Sequence, residues 1–340
     1  MAITQGAGPH AAWITINGLT IPVEVGSVSL SAKRKTSSFN VKVPMSFEGA
    51  QETLANVGDN EAVITTMTRG QISTLLTGEA DDAEFDYIAR TIQITGRDRS
   101  AKLHAKKTNE KWLNRLPSEI VQDLIGRVGM SGNIGASQLL AGKRLEKDFV
   151  RLSDNVSFAY IIHKMAQFDG ARWWVDAQGQ FHYQPMDAMQ GEYSITVNQN
   201  KRPISSDCKV LKIRRNIQAG KKIAVTVKAW HPKRKEVFEH TSNVEGNGGP
   251  REYNYHIPTL EQDHVAKHAR SMAAARARHE LTVHAQVVGD PTPVPGMGLK
   301  VTGTDFDQAF PIVTVHHAFG MTGHSTSITA RSAKSGRQAS

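Results

Sequence analysis

The sequence predicts a mainly β protein with an α+β insert, and three observations predict it. Apolar and polar residues alternate through most of residues 12–95, the apolar period lengthens to that of a helix between about 107 and 170, and alternation returns from 194 onward. At 340 residues the chain is too long for one ordinary core. The changes of period divide it into a β segment at 1–103, an α/β insert at 104–190 and a second β segment at 191–331. A helix is expected in the last at about 260–279, and the tail 332–340, SAKSGRQAS, reads as disordered.

In chain order, AAWITINGLTIPV places two alternating runs around Asn17-Gly18, a pair that accepts the positive φ of a type I′ turn, so residues 12–23 read as a hairpin. Val28 to Val43 reads as a second hairpin with Lys33-Arg34-Lys35 at its tip, and residues 45–60 as a loop or short helix. Strands follow near 62–68, 71–77 and 87–95, with Glu79–Asp86 as a solvated acidic turn between the last two. Its carboxylates lack the glycine and distal glutamate of a calcium loop. About five strands with short connections imply a closed or nearly closed antiparallel barrel.

Pro117-Ser118 opens a helix with Ile120, Val121, Leu124, Ile125 and Val128 on one face, ended by Gly129. Ser157 caps a second helix that stops at Asp169-Gly170, and Trp173–Tyr183 forms a hairpin around Asp176-Ala177-Gln178-Gly179. Further strands are expected near 194–198, 208–218, 222–230 and 235–241, then a Gly-rich loop through VEGNGGPREYNYHIP. Thr259 with Gln262 forms a capping box for the third helix. Strands at ELTVHAQVVG, LKVTGT, FPIVTVHHAFG and TSITARSA complete the second β segment.

Composition bounds the chemistry. The chain is 39% hydrophobic, and no apolar run approaches the roughly 20 residues that cross a bilayer, so no membrane insertion is expected. The first residues lack a basic stretch followed by an apolar core, which reads as folding in a cytoplasm. A lone Cys208 excludes an internal disulfide framework and a Cys-based zinc cluster, and reads as a small buried apolar residue. A net charge of +9 leaves an anionic partner open, but the basic pairs are dispersed and read as solvated surface.

Fourteen histidines invite metal or acid–base hypotheses. His316 and His317 are adjacent in a strand and point to opposite faces, while His264 and His268 share a helix face without the glutamate of HExxH. No nucleophile elbow, phosphate loop or paired carboxylate stands out, so no catalytic residue, cofactor or metal is expected.

The segment ending the first β region carries the clearest signal. Ile92 and Ile94 alternate into Gly96, and then two guanidinium groups flank a carboxylate in Arg97-Asp98-Arg99. Such a knot reads as an ion pair pinning a strand end, as an anion or nucleic-acid contact, or as a family signature.

Thr95-Gly96-Arg97-Asp98-Arg99-Ser100-Ala101 resembles a signature of phage tail hub proteins, the late-control D family and the Mu-type baseplate hub. There a strand of this kind closes a first tube-like β domain and leads into a small helical one. The helix ending in Asp-Gly, the aromatic strand and the Asp-x-x-Gly turn are similar in order to the insert of those hubs. Pro295-Gly296 through Gly303, Ile312–Phe319 and Thr326–Ala330 resemble their last domain.

The resemblance implies two tube-like antiparallel β-barrel domains flanking a small helical and hairpin insert. It implies a structural homotrimer in the virion tail baseplate, assembled in the bacterial host cytoplasm. Its expected partners are a tail tube protein, a central spike protein and other baseplate or wedge proteins, with DNA only in transit through a channel. Two alternatives stand beside it: a nucleic-acid-binding β-barrel protein, and a tail-associated cell-wall hydrolase.

Overall fold

The computed structural model describes residues 10–332 apart from 33–35, 57–59, 111, 113–114, 142–154, 219, 232–234, 247–248, 250, 259 and 321–322. The Lys33-Arg34-Lys35 tip, the Pro232-Lys233-Arg234 turn, most of GNGGP, Thr259 and the tail from 333 lie outside the described residues. Ser332, expected in that tail, is buried, and its amide donates to the Leu281 carbonyl at 3.1 Å.

The first half contains β1 (His10–Ile16), β2 (Leu19–Pro22), β3 (Val25–Ser31), β4 (Ser38–Pro44), α1 (Ala50–Ala55), β5 (Glu61–Thr68), β6 (Gln71–Asp86) and β7 (Thr91–Asp98). Asn17 and Gly18 both take positive φ, 50° and 78°, which turns β1 tightly into β2. The acidic stretch Glu79–Asp86 is the outer half of a 16-residue strand rather than a turn. A bulge between Ala80 and Asp82 resets its alternation, so Ala83 and Phe85 pack on the core while Asp82, Glu84 and Asp86 face solvent. The turn itself is residues 87–90, with Arg90 at φ 59°.

The insert contains α2 (Ala101–Ala105), β8 (Lys107–Thr108), α3 (Pro117–Gly126), β9 (Gly132–Ile134), β10 (Val156–Ser157), α4 (Phe158–Asp169), β11 (Ala171–Val175) and β12 (Phe181–Pro185). Ser157 Oγ accepts the Tyr160 amide and Gly170 closes α4 at φ 67°. Ile120, Val121, Leu124 and Ile125 of α3 pack with Phe158, Ile162 and Met165 of α4 against Trp173, Phe181 and Tyr183, a core of its own.

The last part runs β13 (Glu192–Asn198), β14 (Ser205–Ser206), β15 (Val210–Arg215), β16 (Ile223–His231), β17 (Glu236–Val244), β18 (Arg251–His256), α5 (Gln262–Ala277), β19 (Leu281–Val288), β20 (Gly298–Thr302), β21 (Gln308–Gly320) and β22 (Gly323–Arg331). The strands expected in a second barrel divide. β17-β16-β18 form a separate sheet whose Val225, Val227 and Ala229 pack on Val265, Ala269 and Ala273 of α5. β18 falls in a stretch expected to be loop, where alternating Tyr253 and Tyr255 pack on that core beside the glycine run. Its helix starts at Gln262, with Glu261 as the capping position.

The remaining strands join the first half in one 14-stranded sheet. Numbering the seven strands of each half in chain order, the first reads across the sheet as β3-β4-β7-β6-β5-β1-β2, or 3-4-7-6-5-1-2. The second reads β15-β19-β22-β21-β20-β13-β14, the same order. One contact differs in direction: β1 and β5 are antiparallel, β13 and β20 parallel. The sixth strand of each half bulges opposite the seventh, at Ala80/Asp82 and at Ile312/Thr314. The seventh strands echo in sequence, Ile94-Thr95-Gly96-Arg97 against Ile328-Thr329-Ala330-Arg331.

The halves fuse because β21 is long enough to serve two partners along one edge. Its first residues pair with β20, and beyond the bulge Thr314–Phe319 pair with Ser31–Gly26 of β3. A single hydrophobic core therefore runs through both halves.

Candidate functional site

Three places gather polar side chains where the parts of the chain meet. The first is the end of β7. Strand alternation sends Gly96 and Asp98 inward and Arg97 outward, so the guanidinium groups do not flank the carboxylate as an ion pair. Arg97 instead forms a bidentate pair with Asp81, at 2.6 and 2.7 Å, and Arg99 pairs with Glu61. Arg97 and Asp81 are both substantially exposed, which makes this pair a weak contributor.

Asp98 is 3% exposed and accepts hydrogen bonds from the Ser37 amide at 2.9 Å, the Ser100 amide at 2.9 Å and Ser100 Oγ at 2.5 Å. Its own amide donates back to the Ser37 carbonyl at 2.9 Å. One carboxylate thus ties the start of β4 to the start of α2. Burial pushes this carboxyl above the ordinary aspartate range, and the donors from Ser100 and Ser37 oppose that shift.

Gly96 leaves room for this geometry, since a Cβ there would lie 2.3 Å from the Glu79 carbonyl oxygen and 2.4 Å from Phe39 Cζ. Gly96→Ala is expected to destabilise the protein by about 2 kcal/mol, because neither a backbone carbonyl nor a buried ring can yield cheaply. A urea midpoint equal to that of the parent protein would contradict this crowding.

The second place is the seam between the halves. Across the β3–β21 pair, Ser29 Oγ lies 2.8 Å from His316 Nδ1, while the alternate residue His317 is wholly buried. His317 Nδ1 lies 3.2 Å from His324 Nε2 and 3.1 Å from Thr326 Oγ1, and His324 Nδ1 is 3.3 Å from Thr68 Oγ1 of the first half. His10 lies beside them, its ring tilted 34° to that of His324 with centroids 4.9 Å apart. Burial, and then neighbouring histidines, push His317 down to about 3 and His324 down to about 4; burial also lowers His10. Sequence reading misses this cluster because its members come from residues 10, 317 and 324, which only the fold brings together.

The third place clamps the insert to the second half. Arg172 is buried and donates to the carbonyls of Ile312, Ala188 and Gly296 at 3.2, 2.6 and 3.4 Å, with its guanidinium over Trp174. Burial, with Arg278 nearby, pushes it down to about 10. No composition signal marks this arginine.

Among the described residues no group of three or more His, Cys, Asp or Glu side chains is placed to hold a metal. His264 and His268 both lie against the Phe168 ring, and His264 Nε2 is 3.0 Å from the Leu140 carbonyl. Cys208 is half-buried at the edge of the main core, and burial raises its thiol. No helix of the described residues is long and apolar enough to cross a membrane.

No protein-family model matches the chain, and no curated protein matches it in sequence. Solved structures do. The fold is similar to the 43 kDa tail protein of prophage MuSo2 from Shewanella oneidensis, at 12% identity and a TM-score of 0.69, covering 95% of this chain and 98% of that one. It is similar to the tail protein from Neisseria meningitidis MC58, at 12% identity and a TM-score of 0.72, covering 95% and 97%. It is also similar to prophage tail protein gp18 from Listeria monocytogenes EGD-e, at 9% identity and a TM-score of 0.62, covering 96% and 95%. The protein carries the fold of phage tail proteins over nearly its whole length.

Proposed function

We propose that the protein is the structural hub of a phage or phage-like tail baseplate. In this reading three copies form a ring that joins a sixfold tail tube to a threefold central spike. Its partners are those two proteins and neighbouring baseplate components, and its bore passes DNA without holding it. The observation that carries the reading is the repeated strand order: a chain with two like halves, taken three times, offers six like positions. The role is assembly, not catalysis, and the fold shared with phage tail proteins supports it.

Sedimentation equilibrium of the full chain tests the ring, with three chain masses as the expected result. A particle that stays at one chain mass at every concentration, and that electron microscopy of purified tails places outside the tail tip, would overturn the proposal. A bore lined mainly by arginine would contradict free passage of DNA, because phosphate contacts are strong at low salt.

A further inference from the structure

The intramolecular joint predicts an intermolecular one. Within the chain, the third strand of the first half, β3, pairs with the sixth strand of the second half, β21, along the edge that β20 leaves uncovered. The repeated order supplies the converse pair: β15, third strand of the second half, and β6, sixth strand of the first. In one chain these two do not meet. Among the described residues β15 pairs only with β19, and β6 pairs with β5 up to Glu79 and with β7 from Gly78 onward, which leaves one edge of its outer half without a partner strand there. We infer that β15 of one copy pairs antiparallel with the outer half of β6 of the next copy.

Superposing the two halves by their bulges fixes the register. The bulge pairs Asp82 with Thr95 and Thr314 with Thr329, so Asp82 corresponds to Thr314, Glu84 to His316 and Asp86 to Ala318. Across the seventh and fourth strands, Thr95 pairs with Asn40 and Thr329 with His284. Asn40 in turn pairs with Ser27 of β3 and His284 with Lys212 of β15, so Ser27 corresponds to Lys212 and Ser29 to Arg214. In the observed joint His316 faces Ser29 and Ala318 faces Ser27. Transferred to the converse pair, Glu84 faces Arg214 and Asp86 faces Lys212, while Phe85 faces Ile213.

The backbone register alone sets acid opposite base and apolar opposite apolar. Asp82, Glu84, Asp86, Lys212 and Arg214 are all exposed, and none forms an ion pair among the described residues. Phe85 and Ile213 are half-buried against the main core, so the new pair would extend that core. An open edge strand ordinarily invites unwanted pairing, and complementary charge on the two edges selects one partner over others. The contact is head-to-tail, the kind that closes into a ring when its rotation divides a full turn.

The inference rests on the ring of three and names the edges that close it. In a Cys208→Ser background, chains carrying Glu84→Cys are mixed with chains carrying Arg214→Cys and oxidised. A cross-linked dimer that forms in the mixture and in neither chain alone is the expected result. In parallel, Glu84→Lys and Arg214→Glu should each weaken association by about tenfold or more, and the two combined should restore much of it. If the parent chain sediments as a trimer but no mixed cross-link forms and the charge swap restores nothing, this edge pairing is wrong and the hub reading survives. If the parent chain never associates, alone or within purified tails, both fall together.

Discussion

Asp98→Ala is expected to cost about 3 kcal/mol, the largest loss from any single truncation at the end of β7. The side chain satisfies two backbone amides, Ser37 and Ser100, for which strand pairing and helix bonding supply no other acceptor among the described residues. Each buried amide deprived of its acceptor costs about 1–3 kcal/mol. Asp98→Asn separates this account from a simple loss of volume. It keeps the shape but offers a single oxygen, and its amide nitrogen would face either the Ser37 amide or the Ser100 pair, donor against donor. The asparagine variant should therefore recover less than half of the loss. Urea unfolding monitored by tryptophan fluorescence measures it; a loss below about 1 kcal/mol for alanine would show that the β4–α2 tie is not held by this carboxylate.

Much of this architecture is legible locally, and the failures share one cause. Asn17-Gly18, the Ser157 cap and the Asp169-Gly170 stop are short-range signals whose meaning does not depend on the rest of the chain. Glu79–Asp86 reads as a turn because acidic residues are poor strand formers in isolation. In the fold they occupy the outer face of a protruding strand, where packing does not decide the residue type. Arg251–His256 reads as loop because it adjoins a glycine run, and its place is decided by a parallel partner, Ile223–Lys228, some thirty residues upstream. Arg97-Asp98-Arg99 reads as one charged cluster until alternation is carried through the last residues of the strand, which parts the carboxylate from both guanidinium groups.

The duplication is the exception, since the echo of ITGR in ITAR is plain in the sequence. Four residues are too few to establish a repeat alone. Strand order and the shared bulge give them weight, and both are long-range properties.

Acid should weaken the seam between the halves before it weakens anything else, by about 4 kcal/mol between pH 8 and pH 5. The sign follows from the direction of the shifts. A histidine whose folded pKa lies below its unfolded value near 6.5 binds its proton more readily when unfolded, so its stabilising contribution is complete above that value and lost as pH falls through the window below it. The window runs from about 6.5 down to about 3 for His317 and down to about 4 for His324, and each loses roughly 2 kcal/mol by pH 5. His10 is lowered as well and adds in the same direction. Asp290 opposes the shift of both buried rings, but burial and the repulsion of His316, His324 and His10 outweigh it. Imidazole resonances of His317 and His324 that stay neutral to below pH 5, with unfolding free energy falling by more than 2 kcal/mol per pH unit between 6 and 5, are the expected pair of results. Replacing both residues by glutamine should flatten that slope by most of its value. Rings that titrate near 6.5 in the folded protein would mean that water reaches the seam, and that the two halves are not packed as one core.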